Sequence, residues 1–330
     1  MPPVSLQCDM SSGLQATTAD GPPVFTSAWF RRPRMPETFA GAHPADEPFL
    51  RNEWRRFSNN LHALAAEAGE CFWVNPPSAA LAAENKLVQL HVAQQAGLTF
   101  PATLMSSDPE RIRRFAATHG KLVYKPFQTH TWQDAATGKM FSSYARIVDA
   151  SMLDDDASLR QCPGIYQQLV DKKYDLRVTI IGNQVFTARL DTPLQEEFID
   201  WRIASLAETM RISQTELPGD TVDSLQRLMR GLGLVFGCVD LAVDANGNLH
   251  FLEVNQAGQF LFLEQAVPSL PLLRAVCSLL GQGRCDYTLE HGPDLGYARY
   301  RDSDEYHQWW EVASATLERK DGEIPGVSRE

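Results

Sequence analysis

Apolar and polar positions alternate most regularly in the stretch VFGCVDLAVDANGNLHFLEVN. An Asn-Gly pair between alternating apolar residues predicts a β-hairpin with Asn246 and Gly247 as its two-residue turn. Counting outward from this turn puts Asp240 directly opposite Glu253, and directly opposed residues point to one face of a sheet. Asn255 shares that face. The other face is apolar and carries Val239, Leu241, Val243, Leu252 and Val254.

The acidic face of this hairpin needs a physical explanation, because directly opposed like charges are destabilising. A bound cation would offset the repulsion between Asp240 and Glu253. Two carboxylates and the amide oxygen of Asn255 are hard ligands that suit Mg²⁺, which completes its coordination with water and phosphate oxygens. The alternative is a solvated sheet face that carries acids by chance. The hairpin alone leaves both interpretations open.

Helical periodicity and end signals define the other elements. Apolar spacing predicts a helix over 49–68 and a second over 85–96, the latter with Leu87, Leu90 and Gln94 on one face. Asp108 as N-cap and Gly120 at the end bound a third helix. The pair Gly182-Asn183 predicts another hairpin, in which Ile181 pairs with Gln184 and Arg177 with Ala188. Helices and strands alternate and then cluster as hairpins, so the fold class is mixed α and β with mostly antiparallel sheet in the second half.

Several charged residues stand outside these structural patterns. Lys86 lies in the first turn of its helix, where the dipole disfavours a cation, and Lys125 ends the apolar strand KLVYKP. The polar stretch that follows Lys125 is either a lid over a ligand or a long hairpin loop. Asp175 and Arg177 share a strand face and could form a surface ion pair. A basic cluster at 29–36 contains Arg31, Arg32 and Arg34, which form an exposed loop or meet an acidic partner.

Composition limits the class of protein. A chain of 330 residues divides into two or three lobes, and its formal charge of −11 argues against binding to nucleic acid or to an anionic membrane. The sequence carries neither a secretory signal nor an apolar span of about 20 residues. We therefore expect a cytoplasmic protein. The six cysteines form no C-x-x-C pair, which predicts core residues rather than a zinc site or disulfides.

The order of these features resembles the ATP-grasp superfamily from Lys86 to about Leu280. Two lysines, a polar loop, YQQLV, an Asp-x-Arg hairpin and FLEVN follow one another, and no P-loop or dinucleotide-binding fingerprint occurs. Over nearly the whole chain, a further set of segments is similar to the graspetide ligases, microviridin-type enzymes that form side-chain esters and amides in ribosomal peptides. These segments are SAWFRRPRMP, NEW, WVNPP, NKLVQLHVAQQAGLTFPATLMSSDPE, DLRVTIIGNQVF, DWR and FLEVNQAGQFLFLE.

The resemblance implies an α/β (α+β) ATP-grasp fold in three parts: an N-terminal pre-ATP-grasp domain (1–97), a central lobe with a lid loop (98–166), and a C-terminal antiparallel-sheet lobe with the magnesium site (167–330). It also implies the following site residues. Lys86 and Lys125 contact nucleotide phosphates, Gln168 and the backbone of Leu169 meet adenine, Arg177 and Arg202 face the γ-phosphate or acyl-phosphate, and Asp240, Glu253 and Asn255 bind Mg²⁺.

The activity implied by the resemblance is ATP-dependent macrocyclisation of a ribosomal precursor peptide with leader and core. An Asp or Glu side chain is activated as an acyl-phosphate and joined to a Ser or Thr hydroxyl or a Lys amine. The alternatives are another ATP-grasp ligase that acts on an amino acid or a protein terminus, a phosphotransferase on the same fold, and a non-catalytic peptide-binding protein. The expected cofactors are ATP and Mg²⁺; a homodimer is compatible with the sequence.

Overall fold

The computed structural model describes residues 4–9, 13–18, 25–33, 39–67, 71–128, 131–134, 137–143, 145–192, 201 and 210–322. Within these ranges one strand pair is parallel and the others are antiparallel. The predicted class of mixed α and β structure with antiparallel sheet in the second half is confirmed. No helix in the same ranges is long and apolar enough to cross a membrane.

The elements are numbered in chain order. The strands are β1 (Val4–Asp9), β2 (Gly13–Thr18), β3 (Ser27–Trp29), β4 (Phe72–Val74), β5 (Thr103–Ser106), β6 (Leu122–Lys125), β7 (Thr131–Gln133), β8 (Met140–Ser142), β9 (Arg146–Ile147), β10 (Gly164–Gln168), β11 (Lys172–Ile181), β12 (Gln184–Asp191), β13 (Arg211–Thr215), β14 (Phe236–Asp244) and β15 (Leu249–Asn255). The helices are α1 (Glu47–Glu67), α2 (Pro77–Ala83), α3 (Lys86–Gln95), α4 (Pro109–His119), α5 (Asp156–Gln161), α6 (Gly219–Leu232), α7 (Leu261–Ala266), α8 (Leu272–Gln282), α9 (Tyr297–Arg301) and α10 (Asp304–Gly322).

Two antiparallel sheets organise the fold. A four-stranded sheet has the order β5-β10-β6-β9, and a five-stranded sheet has the order β13-β12-β11-β14-β15. The first sheet uses residues 103–168 and the second uses residues 172–255. The division into three domains stays a proposal.

Strand β14 is buried on both faces of the larger sheet. Val239 packs into a core with Leu225 and Leu228 of α6, whereas its neighbour Cys238 packs into a second core with Leu279 of α8. Alternate residues of a strand point to opposite faces, so both faces of β14 are covered. A carboxylate at Asp240 in such a strand requires partners, because buried charges are otherwise costly.

The hairpin β14–β15 pairs Asp240 with Glu253 as predicted, but its turn differs from the predicted one. Its turn is not the predicted two-residue turn: Gly247 has a φ of 84° but Asn246 has no positive φ. The Asp244 N–H instead donates to the Asn248 carbonyl at 3.1 Å, which closes a three-residue loop. This loop shifts the register by one residue, and a bulge at Leu252 shifts it back.

The bulge restores the acid pair and changes the apolar face. Leu241 pairs with Phe251, and the next pair along is Asp240 with Glu253. The prediction that Leu252 lies on the apolar core face is therefore wrong, because Phe251 takes that position in the core. The second predicted hairpin is confirmed, with Ile181 opposite Gln184 and Arg177 opposite Ala188.

Helix α3 forms where it is predicted, but it buries a different face. Asn85 caps it, accepting hydrogen bonds from the N–H groups of the first turn, and Gly97 beyond its end has a φ of 81°. Leu87 is 59% exposed, however, and Gln94 is exposed, whereas Gln89 and Ala93 are buried. A search for apolar periodicity cannot identify this face, since its central residue is a hydrogen-bonded glutamine.

Asn75 ties the start of β14 to the segment that leaves β15. Its side chain is fully buried. Its Nδ2 donates to the carbonyls of Phe236 at 2.9 Å and Gln256 at 3.1 Å, and its Oδ1 accepts from the N–H groups of Val235 and Phe236. One side chain therefore satisfies four backbone groups at the base of the acidic hairpin.

Asn75→Ala is expected to reduce the free energy of unfolding by about 3 kcal/mol or more, because a buried backbone group left without a partner costs ~1–3 kcal/mol. The measurement is a urea unfolding curve, in which the midpoint falls at constant slope. Asn60→Ala is the control, since Asn60 is exposed and donates one hydrogen bond within α1. Equal midpoints for the two variants would contradict the assigned role of Asn75.

Candidate active site

The site is built around Asp240 and Glu253, which face each other across β14 and β15. Asp240 is 7% exposed, and the side chain of Glu253 is 24% exposed. Asn255 lies two residues beyond Glu253, and its Oδ1 accepts from the Ala257 N–H at 3.1 Å. The structure thus brings the three predicted oxygen ligands to one end of the hairpin.

Two cations of the protein compensate the two acids. The Lys86 Nζ lies 2.5 Å from the Glu253 Oε2, and the Arg177 Nη1 lies 2.8 Å from the Asp240 Oδ1. Lys86 therefore has a specific partner that outweighs the unfavourable helix dipole in its first turn. The acidic face is therefore not simply solvated, because each acid contacts a cation from another element. That this face binds Mg²⁺ stays a prediction.

Gln89 explains how Lys86 reaches Glu253. The Gln89 side chain donates to the Val254 carbonyl at 2.9 Å and accepts from the Val254 N–H at 3.0 Å. It thus continues the ladder on the edge strand β15 as a further strand would. Lys86 precedes Gln89 by three residues and lies on the same side of the helix. Docking of α3 on Val254 therefore sets Lys86 over the adjacent Glu253.

Arg177 is buried between Asp240 and the segment that follows β15. It is 4% exposed and pairs in register with Asp240. Its Nη2 donates to the Gln259 carbonyl at 3.1 Å, and its guanidinium lies 5.5 Å from the Trp201 ring centre. Burial would lower the pKa of Arg177, but the adjacent Asp240 carboxylate outweighs burial and raises that pKa above its ordinary value.

The predicted surface pair between Asp175 and Arg177 is replaced by a buried arrangement. Arg177 bonds to Asp240, and Asp175 bonds to Lys172 at 2.5 Å. Both Asp175 and Arg177 are buried. The sequence could not reveal this, because the partner of Arg177 lies on a strand 63 positions later in the chain.

Gly258 makes room for Arg177. A Cβ atom at this position would lie 2.7 Å from the Arg177 Nη2 and 2.7 Å from the Cys238 Cβ. Only glycine allows this close approach without a shift of the ion pair. Burial raises the pKa of the Cys238 thiol, so the thiol stays neutral and is not an activated nucleophile.

A second cluster surrounds Lys125 on the four-stranded sheet. The Lys125 Nζ donates to the Gln167 Oε1 at 2.7 Å, and the Gln167 Nε2 donates to the Thr103 hydroxyl at 2.9 Å. Gln167 is buried, whereas Gln168 is exposed. Sequence analysis missed Gln167 because β6 and β10 are not joined by a turn from which their register could be counted.

The remaining predicted residues have mixed outcomes. The Leu169 N–H donates to the Lys121 carbonyl at 2.9 Å, so this N–H is already engaged. Arg202 and Arg34 lie outside the described residues. The polar stretch after Lys125 contains the hairpin β7–β8. Its function as a lid stays a prediction.

Proteins similar to this chain are found among solved structures. No family model and no curated protein matches the chain. The macrocyclase MdnC of Microcystis aeruginosa MRC, solved with the precursor peptide MdnA, is 27% identical with a TM-score of 0.70, over 84% of this chain and 87% of that chain. The chain has an ATP-grasp fold similar to that of graspetide ligases.

Two further structures support the fold of this ATP-grasp protein. A Chryseobacterium gregarium RiPP-associated ATP-grasp ligase, solved with ADP and a leader and core peptide, is 23% identical with a TM-score of 0.72 and covers 86% of each chain. The ATP-grasp ligase PsnB, solved with a phosphomimetic minimal precursor, Mg and ADP, is 25% identical with a TM-score of 0.65, over 85% of this chain and 86% of that chain.

The donor set at the acidic hairpin fits Mg²⁺. No group of three or more His, Cys, Asp or Glu side chains gathers anywhere in the described ranges, so a full protein cage is absent there. Asp240, Glu253 and the Asn255 amide supply hard oxygens and leave coordination positions for phosphate oxygens and water, as Mg²⁺ requires. Both carboxylates also contact cations of the protein, Asp240 through Arg177 and Glu253 through Lys86.

Gly258→Ala is expected to displace Arg177 from Asp240 and to destabilise the fold by about 1–3 kcal/mol, the cost of overpacking a filled core. The thermal unfolding midpoint and nucleotide affinity measure the two effects. Gly281→Ala is the matched control, because a Cβ there meets nothing within 4 Å. If Gly258→Ala behaves like Gly281→Ala in both measurements, the steric assignment fails.

Gln167→Ala is expected to weaken nucleotide binding about 2- to 10-fold, because Lys125 loses a hydrogen-bonded anchor worth ~0.5–1.5 kcal/mol. Titration calorimetry with ADP and Mg²⁺ measures the effect. Gln168→Ala is the comparison variant, and it should bind as the parent protein does. The reverse result would support the adenine contact that the resemblance implies for Gln168.

Proposed function

We propose that this chain is an ATP-dependent ligase that cyclises a ribosomal precursor peptide through side-chain esters or amides. The observation that carries the proposal is the opposed pair Asp240 and Glu253, with its two cations, on the scaffold shared with MdnC. MdnC is described as a macrocyclase bound with its precursor peptide. The Asp240–Glu253 pair supplies what phosphoryl transfer needs from a protein, which is positioning and charge stabilisation.

The nucleotide would bind between Lys86, which contacts Glu253, and Lys125, which contacts Gln167. Lys86 on α3 and Lys125 on β6 would contact its phosphates, and Asp240, Glu253 and Asn255 would hold Mg²⁺. When bound, Mg²⁺ supplies positive charge that stabilises the transferring phosphoryl group. Gln167 would orient Lys125 through their 2.7 Å hydrogen bond. Arg177 would orient Asp240, since its Nη1 and Nη2 are engaged with Asp240 and Gln259.

The chemistry proceeds in two steps at the substrate. A peptide carboxylate attacks the γ-phosphorus of ATP, so that an acyl-phosphate forms and ADP leaves. A Ser or Thr hydroxyl or a Lys amine of the same peptide then attacks the acyl carbon and releases phosphate, closing a ring. Water has to be kept out, because it would hydrolyse the acyl-phosphate. The hairpin β7–β8, which follows Lys125, is our candidate for the lid.

We also propose the nucleotide and metal contacts given above, a division into three domains, a cytoplasmic location and a homodimer. ATP and a newly translated precursor peptide are both available in the cytoplasm, which supports that location. The formal charge of −11 remains the reason to expect no nucleic-acid partner. A phosphotransferase or a ligase for another acceptor on the same fold is distinguished by the product.

The protein, incubated with ATP, Mg²⁺ and the precursor peptide encoded beside its gene, is expected to form ADP and a product lighter by one water per ring. Mass spectrometry measures the product. Phosphate retained on the peptide would indicate a phosphotransferase, and ligation of a free amino acid would indicate another ligase.

Glu253→Gln is expected to lower turnover about 100-fold, since metal charge stabilisation is worth several kcal/mol and each ~1.4 kcal/mol is a factor of ten.

The control for Glu253→Gln is Glu290→Gln, which removes the same charge from an exposed position. It should leave turnover unchanged. Full activity in Glu253→Gln would remove this residue from the metal site. Absence of ADP formation by the unaltered protein with any precursor would refute the proposed function itself.

A further inference from the structure

Arg31 is held in a fixed position beside the active site. Its guanidinium lies 5.1 Å from the Trp29 ring centre and 5.9 Å from the Phe260 ring centre. Its Nη2 donates to the Gly258 carbonyl at 3.3 Å. Two aromatic rings and one carbonyl therefore orient a side chain that carries five N–H donors in a planar fork.

The backbone next to Arg31 is strained. Arg32 has a φ of 47°, a left-handed conformation that side chains other than glycine rarely adopt. Such strain is typical of functional segments, where the surrounding structure stabilises an unfavourable conformation.

Gly258 connects Arg31 to the acid pair. The carbonyl of Gly258 accepts from Arg31, and its missing Cβ leaves space for the Arg177 Nη2, which would lie 2.7 Å from such an atom. Arg177 in turn bonds to Asp240 at 2.8 Å. The two guanidinium groups therefore approach the same residue of the loop after β15. Arg31 is exposed, whereas Arg177 is buried.

Arg31 differs from the other cations of the site in its partners. Lys86 bonds to Glu253, Arg177 to Asp240, and Lys125 to the Gln167 side chain. In the part of the chain that is described, the only hydrogen bond of the Arg31 guanidinium goes to a backbone carbonyl. Partial burial, followed by the neighbouring charge of Arg32, lowers the pKa of Arg31.

The substrate needs a cation at this position. In the proposed reaction an acidic side chain of the peptide has to approach the negatively charged triphosphate of ATP. Unscreened repulsion would oppose this approach. A planar guanidinium that binds a carboxylate through two parallel hydrogen bonds would offset the repulsion and fix the orientation of the carboxylate.

We propose that Arg31 binds the carboxylate of the peptide Asp or Glu that is to be activated. This inference rests on the proposed function and adds the residue that selects the acyl donor. Trp29, Phe260 and the Gly258 carbonyl hold the guanidinium, and its remaining N–H groups face the peptide. The site thus has separate cations for its own acids and for the acid of the substrate.

The test compares two peptides, namely the precursor peptide encoded beside the gene and the same peptide with core Asp and Glu replaced by Asn and Gln. Binding is measured with ADP and Mg²⁺ present. The unaltered protein is expected to prefer the acidic peptide about 10-fold or more, the scale of a charged hydrogen-bonded contact. Arg31→Gln is expected to reduce this ratio to about one while keeping its affinity for the amide peptide and for ADP.

Arg32→Gln is the matched control, because it removes the same charge from the adjacent position. It should keep the preference for the acidic peptide. An undiminished preference in Arg31→Gln would overturn the proposal, and so would an equal loss in both variants, which would indicate a general effect of loop charge. If the unaltered protein neither binds the precursor nor forms ADP with it, the proposed function fails and the assignment of Arg31 fails with it.

Arg31→Lys provides a second variant if Arg31→Gln does not fold. It keeps a cation over Trp29 and Phe260 but loses the two-point geometry of guanidinium. The ratio of its affinity for the acidic peptide to its affinity for the amide peptide is expected to lie between the ratio of the unaltered protein and one. A full preference in Arg31→Lys would overturn the two-point contact.

Discussion

The site depends on one electrostatic constraint, which is that two carboxylates held opposite each other across neighbouring strands must be neutralised. Asp240 lies in a strand buried on both faces, where an uncompensated charge is most costly. Arg177 from β11 and Lys86 from α3 provide the compensation. The neutralisation of the two acids therefore depends on the order of the strands in the sheet and on the packing of α3 against β15.

Uncharged residues make this neutralisation geometrically possible. Gln89 fixes α3 on the edge strand, Gly258 leaves the space that Arg177 fills, and Asn75 joins the two ends of the acidic hairpin. Each acts on backbone groups or on packing, and none carries charge. Loss of any one of them would move a cation relative to its acid, so the site is sensitive to residues that touch neither nucleotide nor peptide.

The sequence predicted the acid pair correctly for a reason that was partly wrong. The Asn-Gly signal identified the hairpin, but the three-residue loop and the bulge at Leu252 are two opposite register shifts that cancel at Asp240. Local alternation could predict which residues are opposed near a turn. It could not predict the partners of Arg177 and Lys125, because these depend on pairing between strands or side chains far apart in the chain. Polar core residues such as Gln89 escaped for a related reason, since periodicity detects apolar faces only.

Local charge, rather than net charge, governs what this site can accept. Asp240 and Glu253 are balanced by Arg177 and Lys86, so the core of the site is neutral although the chain carries −11. Lys125 and Arg31 then add positive charge at its borders, one on the four-stranded sheet and one beside the loop after β15. Screening confines the influence of distant surface acids to about 8–10 Å. This local charge is compatible with the proposed anionic nucleotide and acidic peptide, although the net charge of the chain is negative.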